Sequence, residues 1–165
     1  MKVLGIDPGY ERLGVAIVEK TAGREKLLFS DCFRTSSKKE MPNRILEIGN
    51  YLKKLIGEWK PEILAIEKLF FTTNQKTAMN VAETKGAITY IAKNAGLTLQ
   101  EFTPLQIKIA ITGYGKADKG HVSSMVKNLI DIKKNLPAGR QEQKILDDEY
   151  DAIAVALTCI ASTRY

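Results

Sequence analysis

The stretch Val3-Leu4-Gly5-Ile6-Asp7-Pro8-Gly9 decides the fold. Its first four residues, apolar or small, read as a buried strand, and Pro-Gly then turns the backbone sharply. A carboxylate is thereby held at the C-terminal edge of a strand, where α/β sheets open their ligand crevices. Ile63-Leu64-Ala65-Ile66-Glu67 ends in an acid in the same way. A third acidic group, Leu146-Asp147-Asp148-Glu149-Tyr150-Asp151, opens a helix near the C-terminus. Acids delivered singly by separate elements point to a convergent site rather than to a charged surface run.

Working outward, the chain reads as three strands, Lys2–Asp7, Leu13–Glu19 and Lys26–Arg34, with Thr21-Ala22-Gly23-Arg24 turning between the last two. Met41–Trp59 carries Ile45, Ile48, Leu52, Leu55 and Ile56 at helical spacing, and Pro42 sits where a first-turn proline is tolerated. Strand Glu62–Glu67 follows, then a helix over Thr77–Asn94 stopped by Ala95-Gly96, and a fifth strand over Leu97–Phe102. Helices are expected over Pro104–Ile111, over Lys119–Leu129 and from Glu149 onward. The order βββ-α-β-α-β-α-α-α predicts an α/β fold: a five-stranded mixed sheet, antiparallel then parallel, with helices on both faces.

Composition bounds the partners. Its 165 residues fit one domain, and 25 basic against 19 acidic residues give a net charge of +6. That lean toward a polyanion is concentrated between Pro104 and Asn135, where Lys108, Lys116, Lys119, Lys127, Lys133 and Lys134 face only Asp118 and Asp131. Cys32 and Cys159 are far apart and form no CxxC, so neither a zinc site nor a disulfide framework is indicated. Asp7 and Pro8 interrupt any signal-peptide core, and the longest uncharged run, 152–163, is too short to span a bilayer. A cytoplasmic protein with no membrane association is expected.

Asp148 and Asp151 stand three apart and share a helix face; Asp147 and Asp151, four apart, do so equally. Packed beside the first and fourth strands, such a helix brings its acids to Asp7 and Glu67. Taken singly, each acid has a plainer role, Asp7 as a turn former and the helical acids as complements to the helix dipole. Taken together, four carboxylates repel strongly, and cations stabilise such a set. Hard oxygen donors with one histidine in the chain, His121, suit Mg2+ or Mn2+. Two such ions about 4 Å apart activate a water and stabilise the leaving oxygen in phosphodiester cleavage.

Gly5-Ile6-Asp7-Pro8-Gly9 with Leu13-Gly14-Val15-Ala16 resembles the opening of the RuvC family, bacterial Holliday-junction resolvases of the RNase H-like superfamily. Ala65-Ile66-Glu67-Lys68-Leu69-Phe70 resembles that family's second acidic motif, and Asp148-Glu149-Tyr150-Asp151-Ala152-Ile153-Ala154-Val155-Ala156 its terminal catalytic helix. Gln106-Ile107-Lys108 and Gly115-Lys116-Ala117-Asp118-Lys119 are similar to its basic segments, so the resemblance runs nearly the whole chain in order.

The resemblance implies an RNase H-like nuclease domain over 1–165. Asp7, Glu67, Asp148 and Asp151 would be its ligands for two Mg2+ ions, with Mn2+ as substitute. Lys108 and Lys119 would lie near the scissile phosphate, with Lys116 on DNA; Phe70 or Phe71 would stack on unpaired bases while the other packs inward. It further implies a homodimer, joined through helix 77–94 with its Ala78, Ala82, Gly86 and Ala87. This dimer would cut a four-way DNA junction symmetrically during recombination and repair, in concert with the branch-migration proteins RuvA and RuvB. Where the family has a short connection, 133–146 stands as an inserted surface loop. Asp147 or Asp148 remains open as the ligand, and the spacing to Asp151-Ala152 favours Asp148.

Three other functions compete. Actin-like ATPases share a similar Gly-Ile-Asp-Pro-Gly loop but need two such domains, and Gly113-Tyr114-Gly115-Lys116 is no P-loop. A RuvC-like family of ribosomal RNA maturation has a similar acidic layout; the basic 104–134 region and the Phe70-Phe71 pair favour the resolvase. A junction binder without catalysis would not place carboxylates beside phosphates.

Overall fold

The computed structural model describes residues 1–69, 75–132 and 144–163. Its elements are β1 (Lys2–Asp7), β2 (Arg12–Thr21), β3 (Arg24–Arg34), α1 (Met41–Trp59), β4 (Ile63–Glu67), α2 (Gln75–Asn94), β5 (Thr98–Phe102), α3 (Pro104–Thr112), α4 (Lys119–Leu129) and α5 (Asp147–Ser162). The five strands form one sheet in the order β3-β2-β1-β4-β5. β1 pairs antiparallel with β2 and parallel with β4, so the chain's two acid-ending strands lie side by side at the centre. The mixed α/β sheet expected from the sequence is present.

Alternation along the strands divides the core. Leu4, Ile6, Leu13, Val15 and Ile17 point to the side covered by α1 and α2, where Ile48, Leu52, Ile88 and Ala92 close over them. Val3, Ala16, Val18 and Ala65 point to the side covered by α3, α4 and α5. Ala22 (φ 40°) and Gly23 (φ 84°) form the β2–β3 turn; positive φ at both central residues matches the twist of a tight hairpin.

α5 is the helix that positions the site, and two glycines set how closely it lies on the sheet. A Cβ at Gly5 would overlap the Ala152 carbonyl and stand 2.8 Å from Ala156 Cβ. A Cβ at Gly14 would overlap the backbone of Asp148 itself. Gly14 is the register partner of Asp7 across the β1–β2 pair. Small residues on both surfaces therefore bring the first turn of α5 down beside the end of β1. Residues 152–160 of α5 are all buried, so the helix is held along its length as well as at its start.

α5 starts at Asp147, two residues before the expected start near Glu149. Glu149 explains the difference. Its carboxylate is fully buried, accepting from Leu146 N (2.9 Å) through Oε1 and from Ser30 Oγ (2.7 Å) through Oε2. One oxygen satisfies an orphan N–H at the helix start and the other ties that start to β3.

Candidate active site

Each candidate residue is placed by a definable local cause. Asp7 and Glu67 end the neighbouring parallel strands β1 and β4. Asp148 and Asp151 stand on the first turns of α5, together with Asp147. Lys119 begins α4, whose N-cap Asp118 accepts from His121 N at 2.8 Å. Lys108 rides on α3, opened by a reciprocal cap in which Thr103 Oγ1 accepts from Gln106 N (3.2 Å) and Gln106 Oε1 from Thr103 N (2.8 Å).

These acids act on one another. The Asp7 carboxyl is pushed up to about 7, first by burial, then by the charges of Asp151, Glu67 and Asp148, with Lys119 pulling it back. Burial and Asp151 also raise Glu67, against the pull of Lys119, Lys85 and Lys108. Asp151 is raised by burial although Lys119 Nζ donates to its Oδ2 at 2.7 Å. Burial opposes the Lys119 charge, yet its bond to Asp151 and the nearby acids hold its pKa above the ordinary lysine range. Asp7, Glu67, Asp148, Asp151, Lys119 and Lys108 thus share one electrostatic neighbourhood.

The carboxylates do not close on one another. Among the described residues no three Asp, Glu, His or Cys side chains gather tightly enough to chelate an ion. Two of the four acids have cationic partners instead: Asp151 pairs with Lys119 and Asp148 with Arg12. The donor set still fits hard divalent cations, being all carboxylate oxygen with excess negative charge around a half-buried Asp7. Asp148 is largely covered, its side chain 17% exposed, while Asp147 is exposed.

Lys116 is exposed in the turn before α4. Phe70, Phe71 and residues 133–143 of the 133–146 segment lie outside the described residues. Arg12, Cys32, Ser30 and Glu149 border the acids without having been singled out from sequence. Cys32 Sγ donates to Asp148 Oδ2 at 3.6 Å. An arginine at a strand start and a cysteine in an apolar strand carry no spacing signal; only the register Gly14↔Cys32 brings them together with Asp148.

Comparison with known proteins agrees with this architecture. A family model described as crossover junction endodeoxyribonuclease RuvC matches residues 3–159. A protein of that description from Syntrophomonas wolfei subsp. wolfei is 39% identical over 99% of this chain and 91% of its own. Another, from Moorella thermoacetica, is 40% identical over 98% of this chain and 92% of its own. The solved structure of T. thermophilus RuvC in complex with Holliday junction substrate superimposes with a TM-score of 0.83 and 31% identity, covering 96% of this chain and 92% of that one. The yeast mitochondrial Holliday junction resolvase shares the fold alone, with a TM-score of 0.69 at 14% identity over 96% of this chain and 77% of its own.

Proposed function

The chain belongs to the RuvC family of crossover junction endodeoxyribonucleases, and from that premise we propose that it resolves four-way DNA junctions by paired, symmetric, metal-dependent phosphodiester cleavage in recombination and repair. The observation that carries this is a half-buried Asp7 whose neighbours Glu67, Asp148 and Asp151 arrive from separate elements. These four carboxylates are the proposed ligands of two Mg2+ ions, with Mn2+ as substitute. Bound there, the ions would activate the attacking water and stabilise the leaving oxygen. The largely covered Asp148, and not the exposed Asp147, is the proposed ligand on the helix.

The chain's own residues supply orientation and positive charge. Lys119 is fixed by Asp151 at the site, where its ammonium can offset charge developing on the scissile phosphate. Lys108, whose charge reaches Glu67, serves the same phosphate from α3, and Lys116 meets the backbone farther out. Phe70 and Phe71 are proposed as the pair of which one stacks on unpaired bases near the junction centre.

We read the chain as a single nuclease domain over 1–165, with 133–146 inserted at its surface, acting in the cytoplasm. Among the described residues no helix is long and apolar enough to cross a membrane. A homodimer places two such sites on symmetric strands. Helix α2 offers a face for it: Thr84, Ile88 and Ala92 are buried on its own sheet, whereas Met79, Ala82, Gly86 and Tyr90 form an exposed stripe. RuvA and RuvB are the proposed partners in branch migration.

The test is a substrate panel: a four-way junction, linear duplex, an RNA–DNA hybrid and structured RNA, each with Mg2+ or with EDTA. Paired symmetric nicks on the junction alone, and only with Mg2+, are expected. Junction binding without cleavage in Mg2+ would refute the enzymatic assignment. Cleavage of structured RNA in place of the junction would move the chain to RNA maturation.

A further inference from the structure

Arg12 occupies the first position of β2, at the rim of the acidic site. Its guanidinium pairs with Asp148 Oδ2, the same oxygen that accepts from the Cys32 thiol. The backbone leading to Arg12 is well anchored. Thr35 Oγ1 donates to the Tyr10 carbonyl (2.5 Å) and Thr35 N to that of Glu11 (3.1 Å). Arg44 Nε donates to Thr35 Oγ1 (2.8 Å) while its guanidinium lies 4.8 Å over the Tyr10 ring. The Arg12 side chain is by contrast 47% exposed. A fixed base thus carries a long, half-exposed charged arm whose guanidinium reaches both Asp148 and the Cys32 thiol.

The chemistry of that arm makes it a competitor. A guanidinium fork binds carboxylate and phosphate with the same planar geometry. An oxygen engaged by Arg12 is also the kind of hard donor that a divalent cation requires, so the two compete for Asp148. A DNA backbone reaching the site presents phosphates to the same half-exposed guanidinium.

We propose that Arg12 is a latch on Asp148: in DNA-free protein it holds the carboxylate, and a backbone phosphate draws it away, freeing Asp148 for the divalent cation. Arg12 is then a positioning residue that couples DNA binding to metal loading, and by linkage the coupling works in both directions. The latch rests on the assignment of Asp148 as a metal ligand.

The experiment measures Mn2+ binding calorimetrically in DNA-free full-length protein, for wild type, Arg12→Gln, Asp148→Asn and the double variant. In parallel, four-way-junction affinity is measured in EDTA across a salt series. Arg12→Gln should bind Mn2+ about tenfold more tightly than wild type, within the usual range of coupling between sites. Asp148→Asn should weaken Mn2+ binding and erase that gain in the double variant. The junction-binding salt slope of Arg12→Gln should fall by about 1, the loss of one phosphate contact, while Arg12→Lys keeps it. If Arg12→Gln binds Mn2+ no more tightly while Asp148→Asn loses affinity, the latch is overturned and the ligand assignment stands. If Asp148→Asn binds Mn2+ as wild type does, the ligand assignment itself fails. A tighter Mn2+ site with an unchanged salt slope would overturn the hand-over to phosphate.

Discussion

Gly5→Ala should damage stability and catalysis together, because the position has no room for a methyl group. The added Cβ would stand 2.8 Å from Ala156 Cβ and 3.0 Å from Ala156 N, and would overlap the Ala152 carbonyl. Carbon atoms pack at about 3.5–4.0 Å, so α5 must recede by about 1 Å. Overpacking of this kind costs about 1–3 kcal/mol, or roughly 2–12 °C in Tm for a chain of this length. The same movement carries Asp148 and Asp151 away from Asp7, and a misplacement of about 1 Å costs on the order of 100-fold in rate. Thermal unfolding paired with single-turnover junction cleavage measures both effects. Gly57→Ala in α1, where a Cβ meets nothing within 4 Å, is the control and should stabilise by up to about 1 kcal/mol. A Gly5→Ala protein with wild-type Tm and rate would refute the claim that glycine contact sets the position of α5.

Three further outcomes are expected. Lys119→Ala should slow the chemical step by about 100-fold with little change in junction affinity, measured by single-turnover rates against filter binding; equal losses in both would remove its catalytic role. Ser30→Ala leaves Glu149 Oε2 without its Ser30 donor in a buried site and should cost about 1–3 kcal/mol in denaturant unfolding; no loss would show that this tie does not hold the start of α5. Asp7 gives the metal-free protein a pH dependence, since its folded pKa of about 7 lies above the ordinary 3.8. A raised acid favours the folded state while protonated, so stability should fall as pH rises from 4 to 7, by at most about 4 kcal/mol. Asp7→Asn should flatten that profile in EDTA, and an unchanged profile would show that Asp7 is not the strained carboxylate.

Much of this architecture was legible because its signals are local. Apolar runs and turn residues mark β1 to β3, and an acid after four apolar or small residues marks the ends of β1 and β4. Pro104 marks the start of α3 in the same local way. What sequence did not reveal depends on pairing across the sheet. Gly14 looks like an ordinary strand residue until register sets it opposite Asp7 and beneath Asp148. Glu149 looks like one more acid of a solvated cluster until burial makes it the tie between α5 and Ser30. Arg12 belongs to the same class, since its partner lies 136 residues away. The start of α5 was misplaced by two residues for a related reason: its cap is a buried glutamate inside the helix rather than a Ser or Thr before it.

The central claim is that Asp7 anchors a metal-dependent nuclease site, and Asp7→Asn tests it most directly. With a four-way junction labelled on opposing strands and Mg2+ present, the variant should bind the junction as wild type does and produce no paired nicks. Paired nicks from Asp7→Asn at the wild-type rate would contradict the claim.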